Sequence, residues 1–242
     1  MSTIQYAALI RAYGGADAVE IAEVDRPEAA QGQVLVKVRA AGMNGLDWKV
    51  REGYVRDAFP LQLPAILGIE LAGFVEAVGT NVSRFRVGDR VMGALGGLGA
   101  YAEFVAVDES NLCRTPDTLD DVHAAALPVA TVAAWQSLHY AGPIRQGHRI
   151  LIHGAAGGLG GYAVQFAKQL GAEVFGTAST AHLDYVRALA RTMPLTINGN
   201  GLRTSPKTWI WCSTTSVAKC SIALGRFWRP TVLSSVPHRP TS

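Results

Sequence analysis

Residues 149–179 read RILIHGAAGGLGGYAVQFAKQLGAEVFGTAS, and the fold is decided there. Arg149 to His153 is a short apolar run of strand length, closed by Gly154. Leu159, Ala163, Phe166, Ala167 and Leu170 then recur at spacings of 4, 3, 1 and 3, which places them on one face of a helix. Gly171 stands where that helix should stop. AEVFGTA is a second strand, and LDYVRAL opens a second helix. Strand, helix, strand, helix is the opening of a doubly wound parallel sheet.

The first strand-to-helix junction is crowded with Gly154, Gly157, Gly158, Gly160 and Gly161. A diphosphate has to approach the backbone closely, and a Cβ in its path would block it. The helix N-terminus then offers free N–H groups and the positive end of a dipole. Glycine spacing alone is a weak signal, but here it follows a strand, opens a helix and is followed by another strand. The plainer reading is a tight turn without a ligand. The second strand ends in Thr177-Ala178-Ser179, about twenty residues past Gly157, where a ribose 2′-hydroxyl reader is expected. An acid there would select NAD. Ser179 is neutral and would not repel a 2′-phosphate, so NADP(H) is the expected cofactor. Ser179 has a second reading as the cap of the following helix.

Working outward, the first half reads as short strands. QVLVKVR at 33–39 alternates apolar and polar, and LAGFVEAVG, DRVMGAL and AYAEFVAV follow between turn residues. A small barrel or sandwich is expected. From Asp121 the pattern turns helical, with Pro128 as a break between two helices. The chain has 242 residues, 49% hydrophobic and 17% charged, enough for a large domain or two small ones. The three cysteines, Cys113, Cys212 and Cys220, are odd in number and far apart, so a reduced, cytoplasmic setting is expected. The N-terminus has no basic segment followed by an apolar one, so no secretory signal is expected. No apolar run is long enough to span a bilayer. Neither a membrane nor a nucleic-acid partner is expected.

Several stretches together, AAGGLGGYAVQFAKQLGAEV, LGIELAGFVEAVG, FRVGDRVMG, GAYAEFVAV and AALPVATVAAWQSL, resemble the medium-chain dehydrogenase/reductase superfamily in its zinc-independent, quinone oxidoreductase-like branch. The resemblance runs from the N-terminus to about Leu189. It implies an α/β protein with a GroES-like β domain at 1–120, then a Rossmann domain of which 121–189 is the preserved part. By the same resemblance Gly154, Ala155, Ala156, Gly157, Gly158, Leu159 and Gly160 form the cofactor loop, and Thr131 lies by the nicotinamide. In zinc-dependent relatives a Cys and a His hold the metal where Asn44 and Ile69 stand here. An amide and an alkyl group are not zinc ligands, so no metal is expected. The implied reaction is hydride transfer from NADPH to a quinone or an α,β-unsaturated carbonyl. Negative charge then builds on the substrate oxygen, which calls for donors. Asn44, Lys49 and Tyr54, from NGLDWKVREGY, are the candidates. Each has a plainer reading: Asn44 as a turn residue, Lys49 as solvated, Tyr54 as core with a wet tip.

The last acid of the chain is Asp184. Residues 1–189 hold 15 basic and 19 acidic residues, whereas 190–242 hold seven basic residues and no acid. This tail also carries three of the five tryptophans and does not read as a continuation of the sheet. The plainer reading is a natural divergent tail; a one-base deletion would also explain it. TTG GGC GCG GAC GAT GCC encodes Leu-Gly-Ala-Asp-Asp-Ala, a pattern the resemblance implies at this helix end. Without one G it encodes Leu-Ala-Arg-Thr-Met-Pro, the sequence from Leu189 to Pro194. In the restored frame Trp209 with Ile210 must yield Asp, and Trp211 with Cys212 must yield Val. With permissible codons WIWCSTTSV can become DLVFDNVGG, a run like the strand that the family places there. We therefore expect 190–242 to be a frameshifted, poorly packed tail, with two sheet strands surviving before it. The homodimer implied by the resemblance uses Rossmann strands that this tail does not match. The alternative to an impaired enzyme is a non-catalytic GroES-like and NADP half-site module.

Overall fold

The computed structural model describes residues 3–140, 142–189, 193–196 and 209–213. It divides into two compact units, Met1–Val132 and Ala133–Ser242.

In the first unit, β1 (Ile4–Ile10) pairs antiparallel with β2 (Val19–Asp25). β3 (Gln33–Ala41) is followed by α1 (Gly45–Arg51) and the short β4 (Ala65–Ile66), which joins β1. β5 (Glu70–Val78), β6 (Arg90–Ala94), β7 (Phe104–Asp108) and β8 (Leu112–Arg114) complete a five-stranded sheet in the order β7-β3-β5-β6-β8. The alternation in QVLVKVR is realised only in part: Val34 and Val36 are fully buried and Lys37 is exposed, but Leu35 between the valines is buried as well. Leu71, Val75, Val91, Val107 and Leu112 close over the two valines to form the core. Each such side chain removed from water contributes about 1.5–3 kcal/mol.

α2 (Asp121–Ala125) and α3 (Pro128–Tyr140) meet at the proline, as the sequence requires. Proline has no N–H to give and its φ suits the first helical position, so it opens α3. The division between the units falls inside this helix, after Val132.

In the second unit, β9 (Arg149–His153), α4 (Gly158–Gln169), β10 (Glu173–Ala178) and α5 (Leu183–Ala188) follow in order. Ile150, Ile152 and Val174 of the strands pack against Ala163, Val164 and Ala167 of α4, with Val186 of α5 in the same cluster. Gly171, with φ of +82°, ends the segment after α4. β11 (Met193–Thr196) and β12 (Trp209–Ser213) then add to the sheet, giving the order β11-β10-β9-β12 with every pairing parallel. This corrects the expectation of two strands. Trp, Ile and Cys suit an extended segment, and the open edges of β9 and β10 present unpaired N–H and C=O groups to any such segment. The other residues of 190–242, on which the expectation of poor packing also rests, lie outside the described residues.

Candidate functional site

The glycine turn sits at the C-terminal end of β9. Gly154 has φ of +66°, a conformation open to glycine at no steric cost. A Cβ on Gly160 would lie 2.1 Å from Gly154 O and 2.9 Å from the Ala155 Cα, so the turn and the first turn of α4 touch backbone to backbone. Gly157 and Gly158 are exposed, and a Cβ on Gly158 would meet nothing within 4 Å. The space before the helix start is therefore open. Gly161 N donates to Gly157 O (2.8 Å), whereas the N–H groups of Gly158, Leu159 and Gly160 have no acceptor among the described residues. Ala155 is buried and Ala156 and Leu159 are half-buried, packed against the core beneath the turn. The residues present fit a diphosphate.

The turn is tied to the end of β10 by Thr177, which is buried. Gly154 N donates to Thr177 Oγ1 (3.2 Å), and Ala155 N donates to Thr177 O (2.9 Å). His153 Nδ1 lies 2.9 Å from the same hydroxyl. Burial pushes the His153 imidazole below its ordinary range, which favours the neutral ring at neutral pH. Ser179, two residues past Thr177, is half-buried, and its Oγ lies 2.8 Å from His182 Nδ1. Its backbone starts the single helical turn before α5.

In the first unit, Asn44, Lys49 and Tyr54 all belong to α1 or its flanks. Asn44 is the N-cap of α1, and its own N–H donates to Asp47 Oδ2 (2.6 Å). Its side-chain Nδ2 donates to Glu70 Oε1 (2.7 Å). Lys49 Nζ lies 5.7 Å from the Trp48 ring centre, within cation–π range, and Trp48 meets Tyr54 edge to face at 5.6 Å. Tyr54 is 71% exposed, so the reading of it as core is not what the structure shows. Thr131 lies in the first turn of α3, and its Oγ1 donates to Leu127 O (2.7 Å). With its hydrogen committed to the backbone, the Thr131 hydroxyl offers only lone pairs to anything outside.

Glu70, Asp47 and Tyr101 were not singled out from the sequence, yet they join these positions. Glu70 is 2% exposed and also accepts from Val129 N (2.7 Å), at the start of α3. One carboxylate thus links the loop before α1 to the helix that carries Thr131. Burial raises the Glu70 carboxyl above its ordinary value, against the lowering effect of the Val129 and Asn44 donors. Tyr101 Oη donates to Asp47 Oδ2 (2.9 Å), while Asp47 Oδ1 is buried with no hydrogen-bond partner among the described residues. Burial first, and the bond to Asp47 second, push the Tyr101 hydroxyl well above its usual range. The signal was present in the sequence: GIELAGF puts one acid inside an apolar run, and a buried acid needs partners. Ile69, beside it, offers only carbon. Among the described residues no group of three or more His, Cys, Asp or Glu is placed to hold a metal ion. A separate open pocket of about 440 Å³, lined by Phe59, Leu61, Pro64, Ile66 and Leu98 among others, contains none of the residues singled out from the sequence.

A parallel sheet with an open glycine turn after its first strand is the arrangement of a dinucleotide-binding fold. The profile of the alcohol dehydrogenase GroES-like domain matches residues 30–117. The quinone oxidoreductase of Pseudomonas aeruginosa is 42% identical over 178 residues, which cover 73% of this chain and 52% of that protein. The chloroplastic quinone-oxidoreductase homolog of Spinacia oleracea is 37% identical over 196 residues, covering 78% and 59%. The solved quinone oxidoreductase from Coxiella burnetii matches with a TM-score of 0.74 at 33% identity, over 79% of this chain and 62% of that one. Over the region they share, the chain is similar to quinone oxidoreductases of the medium-chain dehydrogenase/reductase superfamily, a family of nicotinamide-dependent oxidoreductases. It spans 52 to 59% of the length of these two curated relatives. Among the described residues no helix is long and apolar enough to cross a membrane.

Proposed function

We propose that the chain derives from a cytoplasmic, metal-free oxidoreductase that uses NADPH to reduce quinones or α,β-unsaturated carbonyls, with turnover impaired in the present chain. The observation that carries this reading is the glycine turn: open space before Gly158 and three N–H groups without acceptors among the described residues at the start of α4. Ser179 at the end of β10 supports NADPH over NADH, because no acid stands there to repel a 2′-phosphate. Donor chemistry supports the metal-free reading, since the Asn44 amide is turned to Glu70 and Ile69 is an alkyl group.

When bound, NADPH supplies the hydride. The chain's own part is to bind and orient. The N–H groups of Gly158, Leu159 and Gly160 would hold the diphosphate. Thr131, whose hydroxyl offers only lone pairs, would lie by the nicotinamide. Lys49 and Tyr54 are the donors proposed for the substrate oxygen as charge grows on it, with the Lys49 ammonium the stronger. A second reading, a non-catalytic NADP-binding module, is favoured by the glycine turn, whose main-chain N–H groups need none of the candidate catalytic side chains. One experiment tests both. NADPH is titrated by its fluorescence, then a quinone is added and NADPH oxidation is followed. Turnover supports the enzyme, saturable binding without turnover supports the module, and absence of binding refutes both.

A further inference from the structure

The Asn44–Glu70 contact does more than satisfy a buried acid. Glu70 Oε1 takes the Asn44 amide at 2.7 Å, and Oε2 takes the Val129 N–H at 2.7 Å. Val129 carries the first N–H that α3 offers, because Pro128 before it has none. Thr131 follows within the same helical turn, its hydroxyl bonded to Leu127 O. The fit around the carboxylate is close: a Cβ on Gly42 would lie 2.3 Å from Glu70 Oε1 and 2.6 Å from Ala125 O. We propose that Glu70 is a positioning residue which, through the Asn44 amide on one side and the α3 N-terminus on the other, sets Thr131 relative to α1. This rests on the reading of Thr131 as a nicotinamide contact.

The hydrogen bonds have a direction, and the direction gives the test. In Glu70→Gln only one side-chain oxygen remains. The Val129 N–H cannot turn, so that oxygen stays with it, and the new NH₂ faces the Asn44 NH₂; turning the Asn44 amide over would take its oxygen from the Asp47 N–H of the capping box. In Asn44→Asp two carboxylates face each other instead. The double variant N44D/E70Q restores a donor and an acceptor with the bond reversed and the net charge unchanged, and Asp is as good an N-cap as Asn. Two ligands are measured by calorimetry on the full chain: NADPH, and 2′-phospho-ADP-ribose, which lacks the nicotinamide.

Loss of a charge-assisted bond predicts that E70Q and N44D each weaken NADPH by about tenfold. Both single variants should leave 2′-phospho-ADP-ribose within about twofold, and N44D/E70Q should return NADPH to within about twofold of wild type. A merely structural role would weaken both ligands together. If either single variant fails to fold, the other with the double variant still carries the comparison. Equal weakening of both ligands, no effect on NADPH, or a double variant that fails to recover overturns the positioning role while leaving the cofactor reading intact. A wild-type chain that binds neither ligand overturns the cofactor reading, and the positioning role falls with it.

Discussion

Gly158 and Gly160 separate stability from binding. A methyl on Gly160 would lie 2.1 Å from Gly154 O and 2.8 Å from Gly154 C, where ordinary contact begins near 3.4 Å. Neither atom belongs to a flexible side chain, so α4 and the turn have to part by more than about 1 Å in a close-packed region. Overpacking of this kind costs about 1–3 kcal/mol. A methyl on Gly158 meets nothing within 4 Å, and alanine is the better helix residue. Gly158→Ala should therefore leave folding unchanged or raise stability by up to about 1 kcal/mol. The same methyl projects into the space that the diphosphate would enter, and we expect NADPH affinity to fall by at least about tenfold, equivalent to about 1.4 kcal/mol. Urea unfolding gives the first quantity and NADPH fluorescence titration the second. Gly160→Ala should lose stability and binding together. The decisive variant is Gly158→Ala: wild-type NADPH affinity in that protein would refute the placement of the diphosphate at this turn.

Thr177→Val removes the buried side-chain acceptor of Gly154 N, so we expect a loss of about 1–3 kcal/mol in urea unfolding together with weaker NADPH binding. Glu70 gives a pH dependence with a definite sign. Its folded carboxyl titrates above the ordinary 4.5, so in the window above 4.5 the folded chain holds a proton that the unfolded chain has released. Its contribution to stability therefore grows as pH falls through the folded value and is lost as pH rises through it. Wild type should gain stability relative to E70Q as pH falls through that window; the opposite slope would contradict the buried setting of Glu70. Asp89 and Glu109 act the other way. Backbone N–H donors, Arg86 for the first and Arg84 with Ser83 for the second, hold their carboxyls below the ordinary values of 3.8 and 4.5. Their contributions are present above those values and lost as pH falls through the folded ones, so D89N and E109Q should each flatten the acid limb of the same curves. Sequencing the gene tests the frame: past codon 189 the neighbouring frame should be open, and stop codons in it would exclude the slip.

Much of the second unit was legible because its signals are local. Strand, turn and helix spacing lie within residues 149–178, and β9 and β10 fall where the apolar runs end. Gly154 and Gly160 were legible as a turn, but the reason for Gly160 was not: it is a backbone contact between residues six apart that only the folded turn creates. The first-unit site was legible one side at a time. Asn44, Lys49 and Tyr54 lie close together in the chain and give no hint of Thr131, which stands far beyond them. Glu70 makes the connection, and its two bonds span 26 and 59 positions, a separation that no spacing rule reaches. The plainer reading of Tyr54 as core failed because an aromatic residue near a helix end reads equally as core or surface until the neighbouring Trp48 is seen to meet it edge to face.

The sheet shows where a reading by side chains fails and one by backbone would have succeeded. Residues 190–242 were set apart because they lose their acids and their helical periodicity, and both are properties of side chains. Strand pairing is made by main-chain groups, and a parallel edge accepts any extended segment of suitable propensity. WIWCS is such a segment whatever frame produced it. Its position carries the further point. β12 pairs with β9 from Trp209↔Arg149 to Ser213↔His153, on the side opposite β10. Counted from β9, the order across the sheet is third, second, first, fourth, the order in which a doubly wound nucleotide fold crosses to its second half. A restored frame would put Asp and Val in this run, and with permissible codons DLVFD across it. A slip that rewrites every side chain would thus leave the crossing in place, because β9 supplies the edge and the rewritten run still favours an extended backbone. The site follows a different rule: a glycine turn, a neutral Ser179 and a paired Glu70 depend on which side chain stands at each position, and all of them lie before Leu189.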